Sequence, residues 1–217
     1  MGSSSLLLII GSTIVGGLLL LMLFRYNAVV VEKNHRYNTQ SILEKNMFEL
    51  NKLISDDFSK IGYCMDKSKS DIIKDPIVEA TDSTLAFKTD VPVNKNNPFG
   101  DGNVDIVKYY LGDYVTETLN SRDKYLYRKV NSNVPLELNY GVTKLHFTYL
   151  NNKGDTLFTP ISNLEDIKIV EYNITIEDIY GYNYKYSIDN SERLEGELYF
   201  SSLSKTKKIS IKNLKNR

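Results

Sequence analysis

The chain has 217 residues, of which 41% are hydrophobic, and its 27 acidic and 27 basic side chains cancel. This length fits one domain, or one small domain with an attached segment. Zero net charge argues against a dedicated nucleic-acid-binding protein. The single cysteine excludes an intrachain disulfide and a cysteine-based zinc cluster, and two histidines leave little for a histidine-dependent active site. Composition therefore disfavours most enzyme classes.

The first predicted element is an apolar helix over Leu6–Phe24, within a stretch of 24 residues that carries no charged side chain. At about 1.5 Å per residue the run covers roughly 28 Å, close to the thickness of a bilayer core. A membrane anchor is favoured over a cleaved secretion signal, because no basic residue precedes the run, and over a soluble core helix, because the run is long. The candidate membrane and assembly contacts are Leu6, Leu7, Ile10, Ile14, Leu18, Leu21 and Phe24.

An amphipathic helix is predicted to continue directly from the apolar one. No proline or glycine lies between Arg25 and Gly62, and apolar residues recur there at spacings of three and four. The resulting stripe is predicted to pack on a sheet, and it comprises Leu43, Met47, Leu50, Ile54, Phe58 and Ile61. We therefore predict one nearly continuous helix from Leu6 to Ile61, capped by Gly62.

From residue 72 the hydrophobic period changes to two, which is typical of strands. Turn signals separate the strand candidates, including Asn152-Lys153-Gly154-Asp155. The predicted strands are 84–89, 104–111, 124–130, 142–150, 167–179, 198–200 and 207–214. The sequence thus predicts an α+β fold with the long helix packed on a mostly antiparallel sheet. The predicted divisions are a transmembrane helix (1–25), a stalk helix (26–62) and a β-rich globular domain (63–217).

Few residues carry the spacing of a chemical site. Asp101, Asn103 and Asp105 have the spacing that opens a calcium loop, but the closing glutamate is missing, so a surface turn is the preferred interpretation. We predict no catalytic residues, no cofactor and no small-molecule substrate, hence no enzyme. The lysine-rich segment from Lys205 onward is interpreted as an edge strand protected from aggregation rather than a nucleic-acid-binding arm.

Tyrosines alternate at Tyr180, Tyr182, Tyr184 and Tyr186. They are either an interaction surface, since tyrosine offers contact area at low entropic cost, or a strand with one aromatic face.

Several segments, taken in chain order, resemble type IV pilins and pseudopilins, in particular the J-type minor pseudopilin of type II secretion and PilW-type minor pilins. The segments that carry the resemblance are Asp56–Tyr63, Ser83–Asp90, Val107–Leu111, Lys124–Arg128, Gly141–Tyr149 closing on Gly154, Ile167–Val170 and Ile209–Leu214. The resemblance implies a non-enzymatic subunit that is held in the bacterial inner membrane and assembles through its N-terminal helix. Its implied partners are the lipid bilayer, other pilin-like subunits and a secretion or pilus assembly platform. It implies a globular body outside the cytoplasm, in the periplasm or at the cell surface.

The start of the chain departs from that family. The family has a basic leader, a glycine before the cleavage point and a glutamate shortly after it, whereas here Gly2 leads into serines and the first acid is Glu32. These departures argue against the usual processing by a prepilin peptidase. Arg25, Lys33 and Arg36 would favour a cytoplasmic body, but long domains translocate largely regardless of local charge, so we expect the body outside. The alternative is a signal-anchored extracytoplasmic binding domain that does not assemble.

Overall fold

The structure is a computed structural model, and it describes residues 2–69, 74–92, 100–180, 182–183 and 198–211. Its one long helix and ten strands are, in chain order, α1 (Gly2–Ser59), β1 (Ile77–Ala80), β2 (Thr84–Thr89), β3 (Asp105–Tyr114), β4 (Lys124–Val130), β5 (Leu136–Leu150), β6 (Thr156–Leu157), β7 (Ile169–Glu177), β8 (Tyr182–Asn183), β9 (Leu198–Tyr199) and β10 (Ser202–Ser210). Short 3₁₀ turns occupy Lys67–Lys69 and Leu164–Asp166. The chain divides into two compact units, residues 1–42 with 182–199 and residues 43–181 with 200–217.

Helix α1 runs without a break over 58 residues. Its four glycines lie in its first third, at positions 2, 11, 16 and 17, and it contains no proline that would break the hydrogen-bond ladder. The helix ends at Ser59, slightly before the predicted end. Gly62 follows with a φ of +74°, which glycine adopts without steric cost, and its N–H donates to the Lys88 carbonyl at 2.9 Å. This turn directs the chain away from the helix axis.

The larger unit is built on one antiparallel sheet. Its strands follow the order β1-β2-β3-β4-β5-β7-β10, and β6 pairs with β5 beside this path. The described pairings within it are all antiparallel. In the smaller unit, β8 and β9 form a separate antiparallel pair. The predicted α+β architecture, a long N-terminal helix on an antiparallel sheet, is therefore confirmed.

Several strand boundaries differ from the prediction. Strand β5 begins at Leu136 instead of Val142, because Leu136–Leu138 already pairs with β4. A register shift and the positive φ of Gly141 follow this first part of the strand. Strand β1 was not predicted, since its four residues depend on pairing with β2. The last strand starts earlier than predicted, at Ser202, and runs to Ser210. Of the rest of its predicted range, Ile211 lies just beyond the strand and 212–214 lie outside the described residues.

The core lies between the C-terminal part of α1 and one face of the sheet. Alternate residues of β7 point into it, namely Val170, Tyr172, Ile174 and Ile176, and each has no exposed surface. The Phe58 ring sits at the centre of this layer. Its centroid lies 5.4 to 6.1 Å from four rings, which belong to Phe87, Tyr109, Phe147 and Tyr172. Edge-to-face contacts of this kind add to the apolar burial and fix the helix over the sheet.

Candidate assembly helix and its junction with the sheet

The apolar segment of α1 is exposed among the residues that the structure describes. Its large side chains from Leu6 to Phe24 are between 47% and 74% exposed. Within it, the Ser12 and Thr13 hydroxyls donate to the carbonyls of Ile9 and Ile10 at 2.9 and 2.8 Å. Both hydroxyls are thus satisfied inside the helix, as an apolar environment requires. By length and composition this helix is apolar enough to cross a membrane.

The seven predicted contact residues all lie in this exposed segment. They are Leu6, Leu7, Ile10, Ile14, Leu18, Leu21 and Phe24. Gly11, Gly16 and Gly17 share the segment, and a Cβ added at any of them would meet no atom within 4 Å. Small residues of this kind let a second helix approach closely in a bilayer. That these seven side chains contact lipid or a neighbouring helix stays a prediction.

The structure buries all six residues of the predicted packing stripe. Leu43, Met47, Leu50, Ile54, Phe58 and Ile61 are each at most 5% exposed and belong to the core cluster. Phe48, on another side of the same helix, is 68% exposed. Full burial of such an aliphatic or aromatic side chain contributes about 1.5–3 kcal/mol. The stripe therefore supplies most of the apolar attachment between this part of α1 and the sheet.

A charged contact fixes the last turn of the helix to the sheet. Arg128 on β4 binds Asp57 with two hydrogen bonds, and the Tyr109 hydroxyl donates to the same carboxylate. Both charged side chains are only about one-sixth exposed. Burial, and then the charge of Asp57, raises the pKa of Tyr109 well above its ordinary value, so its hydroxyl stays a donor. The Arg128 charge also offsets the unfavourable position of an acid near a helix C-terminus.

A second polar contact joins the helix to the last strands. The Tyr172 hydroxyl on β7 donates to Asn51 Oδ1 and lies 3.1 Å from Ser55 Oγ. Lys207 on β10 donates to Ser55 Oγ at 2.8 Å. Burial raises the pKa of the Tyr172 phenol. A small cavity of about 260 Å³ lies beside this contact, lined by serines and lysines of the helix end and β10.

The predicted calcium turn is organised by protein donors. Asp101 Oδ1 accepts from the Asn103 N–H at 2.8 Å, and Asn103 Oδ1 accepts from the Lys69 ammonium at 3.0 Å. Asp105 accepts two other hydrogen bonds. Its Oδ2 accepts from the Val91 N–H, and its Oδ1 accepts from the Asn131 side-chain amide. Hydrogen bonding to Asn103 lowers the pKa of Asp101. Among the residues described, no three His, Cys, Asp or Glu side chains group closely enough to hold a metal ion.

Asp90, which sequence reasoning did not single out, is fully buried beneath this turn. Its carboxylate accepts three backbone hydrogen bonds, from Met65, Asp101 and Gly102, at 2.9 to 3.0 Å. The position could not be identified from the sequence, because it follows a strand as an ordinary surface acid would.

The structure also shows an aromatic surface that the sequence indicated only in part. Tyr110 and Tyr127 stack at 5.2 Å between ring centroids, and Tyr125 lies 6.1 Å from Tyr127. A Cβ at Gly112 would lie 2.0 Å from the Tyr127 ring, so the glycine lets that ring lie flat on β3. Alternation in Lys124–Val130 predicts that Tyr125 and Tyr127 share one face. Their contact with Tyr110 depends on the register between β3 and β4, which the sequence pattern does not contain. Of the predicted tyrosine cluster, Tyr180 is exposed and Tyr182 lies in β8, while Tyr184 and Tyr186 lie outside the described residues.

Comparisons with solved structures find similarity to this chain. Among solved structures, the chain is similar to a type IV-like pilin, TTHA1219, from Thermus thermophilus, with a TM-score of 0.43 and 9% sequence identity. The alignment covers 79% of this chain and 98% of the other. No family model and no curated protein matches the chain.

Proposed function

We propose that this protein is a membrane-anchored, pilin-like subunit that assembles with other subunits through the N-terminal segment of α1. The observation that carries the proposal is the exposed, charge-free surface over Leu6–Phe24. A surface of this size is not stable in water, because soluble monomers rarely expose large contiguous apolar patches. It is stable in a bilayer or against other apolar helices.

The proposed mechanism is packing rather than catalysis. In the bilayer, lipid tails cover the segment as well as another helix would, so association depends on close van der Waals contact. Gly11, Gly16 and Gly17 provide the open surface for that approach. Outside the bilayer, the part of α1 from Leu43 onward is held to the sheet by the apolar stripe and by Arg128. A subunit pulled by its helix would therefore carry the sheet with it.

Cysteine crosslinking in the native membrane tests the assembly. The single native cysteine, Cys64, is first replaced by serine, and Leu18→Cys is compared with Ser132→Cys in the exposed β4–β5 turn. We expect oxidation to link Leu18→Cys into dimers several-fold more than Ser132→Cys. A strictly monomeric pattern at Leu18 and at neighbouring positions of the segment would contradict the assembly.

We further propose that the assembly is a type IV pilus or a type II secretion-like pseudopilus of the bacterial inner membrane, with the β-rich body outside the cytoplasm. The chain order of the segments that resemble minor pilins supports this narrower proposal. Labelling of Ser132→Cys in intact cells with a membrane-impermeant maleimide tests the orientation. Labelling before lysis is expected, whereas labelling only after lysis would place the body in the cytoplasm.

A second candidate is an anchored binding domain that does not assemble. The stacked rings of Tyr110 and Tyr127 on the outer face of the sheet favour it, since tyrosine-rich surfaces are common at binding interfaces. The crosslinking experiment separates the two candidates. If Leu18→Cys stays monomeric and Tyr127→Ala abolishes attachment of the cell to a surface or partner, the binding domain is the better description.

A further inference from the structure

Two tyrosine rings of neighbouring strands lie face to face on the outer side of the sheet. Tyr110 on β3 and Tyr127 on β4 are direct partners in the register of this antiparallel pair. Their ring centroids are 5.2 Å apart and their planes differ by 26°, within the range of offset-stacked aromatic pairs. Both residues are half-buried, so each keeps a surface that a small reagent in solution can reach.

Gly112 leaves the space that Tyr127 occupies in this stack. An added Cβ at Gly112 would lie 2.0 Å from Tyr127 Cε2 and 2.6 Å from Cδ2, so the ring fits only over a residue without a side chain. The Tyr127 ring therefore rests on the backbone of β3, the strand that also carries Tyr110. This position holds the two rings together.

The phenol of Tyr127 has a base beside it. Burial, and then the negative charge of Glu137, raises the pKa of Tyr127, with a smaller contribution from hydrogen bonding to the Glu137 carboxylate. Glu137 lies on β5, where it is the register partner of Tyr127. The phenol is thus protonated at neutral pH, and a carboxylate is in place to accept its proton when an electron leaves the ring.

We propose that Tyr110 and Tyr127 form a site of oxidative crosslinking, at which a one-electron oxidant joins the two rings as dityrosine. Each phenol loses one electron to the oxidant and one proton, which goes to Glu137 from Tyr127 and to water from Tyr110. The two phenoxyl radicals then form a carbon–carbon bond between their ortho carbons, and each ortho hydrogen moves to the phenol oxygen of its own ring. The protein loses two hydrogen atoms in total, and hydrogen peroxide as the terminal oxidant is reduced to two molecules of water.

The stacked geometry suits this coupling. The unpaired electron of a phenoxyl radical occupies the π system, so the new bond forms perpendicular to the ring planes. Rings that face each other at a small angle present these orbitals to each other, and little rearrangement precedes the reaction. Tyr125 is a poorer partner for Tyr127, because its ring is 6.1 Å away at 36° and its hydroxyl donates to Glu117. Tyr125 therefore provides the matched control.

The test oxidises the full chain in detergent with hydrogen peroxide and a peroxidase, at a protein concentration low enough to favour links within one chain. After trypsin digestion, mass spectrometry should find segment 109–122 linked to segment 125–128, two hydrogen atoms lighter than their sum. Tyr110→Phe and Tyr127→Phe should each abolish this link, and Tyr125→Phe should keep it. Absence of the link in the wild-type chain, its survival in Tyr127→Phe or its loss in Tyr125→Phe would overturn the proposal.

A glycine variant tests whether the stack causes the coupling. Gly112→Ala displaces the Tyr127 ring but keeps every phenol, so we expect a severalfold lower yield of the link. An unchanged yield would show that the stack does not direct the reaction, and would overturn its assignment as the crosslinking site.

The crosslink would close a loop between residues 110 and 127, and such a constraint on the unfolded chain stabilises the folded one, as a disulfide does. The oxidised wild-type chain should therefore melt several degrees above oxidised Tyr127→Phe, when each is compared with its own untreated sample. Equal shifts in the two proteins would contradict a stabilising link between β3 and β4.

Discussion

The guanidinium of Arg128 binds both carboxylate oxygens of Asp57, Nε to Oδ2 at 2.5 Å and Nη2 to Oδ1 at 3.1 Å. The two residues are 71 positions apart and join the end of α1 to the middle of the sheet. Removal of one partner from such a buried pair leaves an uncompensated charge.

We expect Arg128→Met to lower the free energy of unfolding by about 3–5 kcal/mol. The measurement is chemical denaturation of the full chain in detergent, followed by circular dichroism. Asp56→Asn is the matched control, because Asp56 is the exposed neighbour on the same turn and should change stability by less than about 0.5 kcal/mol. Equal effects of the two variants would show that the buried ion pair does not hold the helix.

The ring cluster around Phe58 predicts a second large effect. Phe58→Ala removes a fully buried ring from contact with four others, so we expect a loss of about 3–5 kcal/mol. Phe48→Ala makes the same chemical change on the same helix where the ring is 68% exposed, and should lie within about 0.5 kcal/mol of the wild-type chain. Thermal unfolding of the two variants side by side checks this. A similar loss in both would mean that α1 lies on the sheet by another face.

Glycine 141 predicts a backbone effect. It adopts a φ of +74°, and an added Cβ would lie 2.3 Å from the Glu177 carbonyl oxygen. Gly154 also has a positive φ, +89°, but its Cβ would meet nothing. We expect Gly154→Ala to cost about 1–2 kcal/mol from conformation alone, and Gly141→Ala to cost clearly more. If denaturation curves of the two variants coincide, the close approach of β5 to β7 at Gly141 is wrong.

The buried carboxyl group of Asp123 predicts how stability depends on pH. Its pKa is raised in the folded state, so its contribution is fully present below its unfolded pKa, near 3.9, and is lost as the pH rises through the folded pKa. Asp101 has the opposite sign, because its pKa is lowered and its contribution is lost as the pH falls.

Asp123→Asn should therefore gain stability relative to the wild-type chain as the pH rises from about 4 to 7. Unfolding by urea at a series of pH values measures the difference. A constant difference between the two proteins across this range would contradict the burial of an ionisable Asp123.

The spacing of hydrophobic residues along the sequence was sufficient to predict some of these structural features and not others. Spacings of three and four between Leu43 and Ile61 predicted the helix and its buried side, because a helical period depends only on neighbouring turns. Strand β1 and the first part of β5 were missed, because their strand state depends on pairing with β2 and β4. The Asp57–Arg128 pair and the buried Asp123 were missed for a similar reason. Both require the register of distant segments, which a hydrophobic period does not contain.

The contacts of Tyr172 and Lys207 with α1 have a consequence for the order in which the protein forms. They bind Asn51 and Ser55, which lie 121 and 152 positions earlier in the chain. The helix is therefore synthesised well before the last strands that pack on it. At about 5–20 residues per second, synthesis of the intervening chain takes on the order of ten seconds. During that time the apolar stripe of the nascent helix is only partly covered. Complete covering of this stripe therefore waits until β10 has been synthesised.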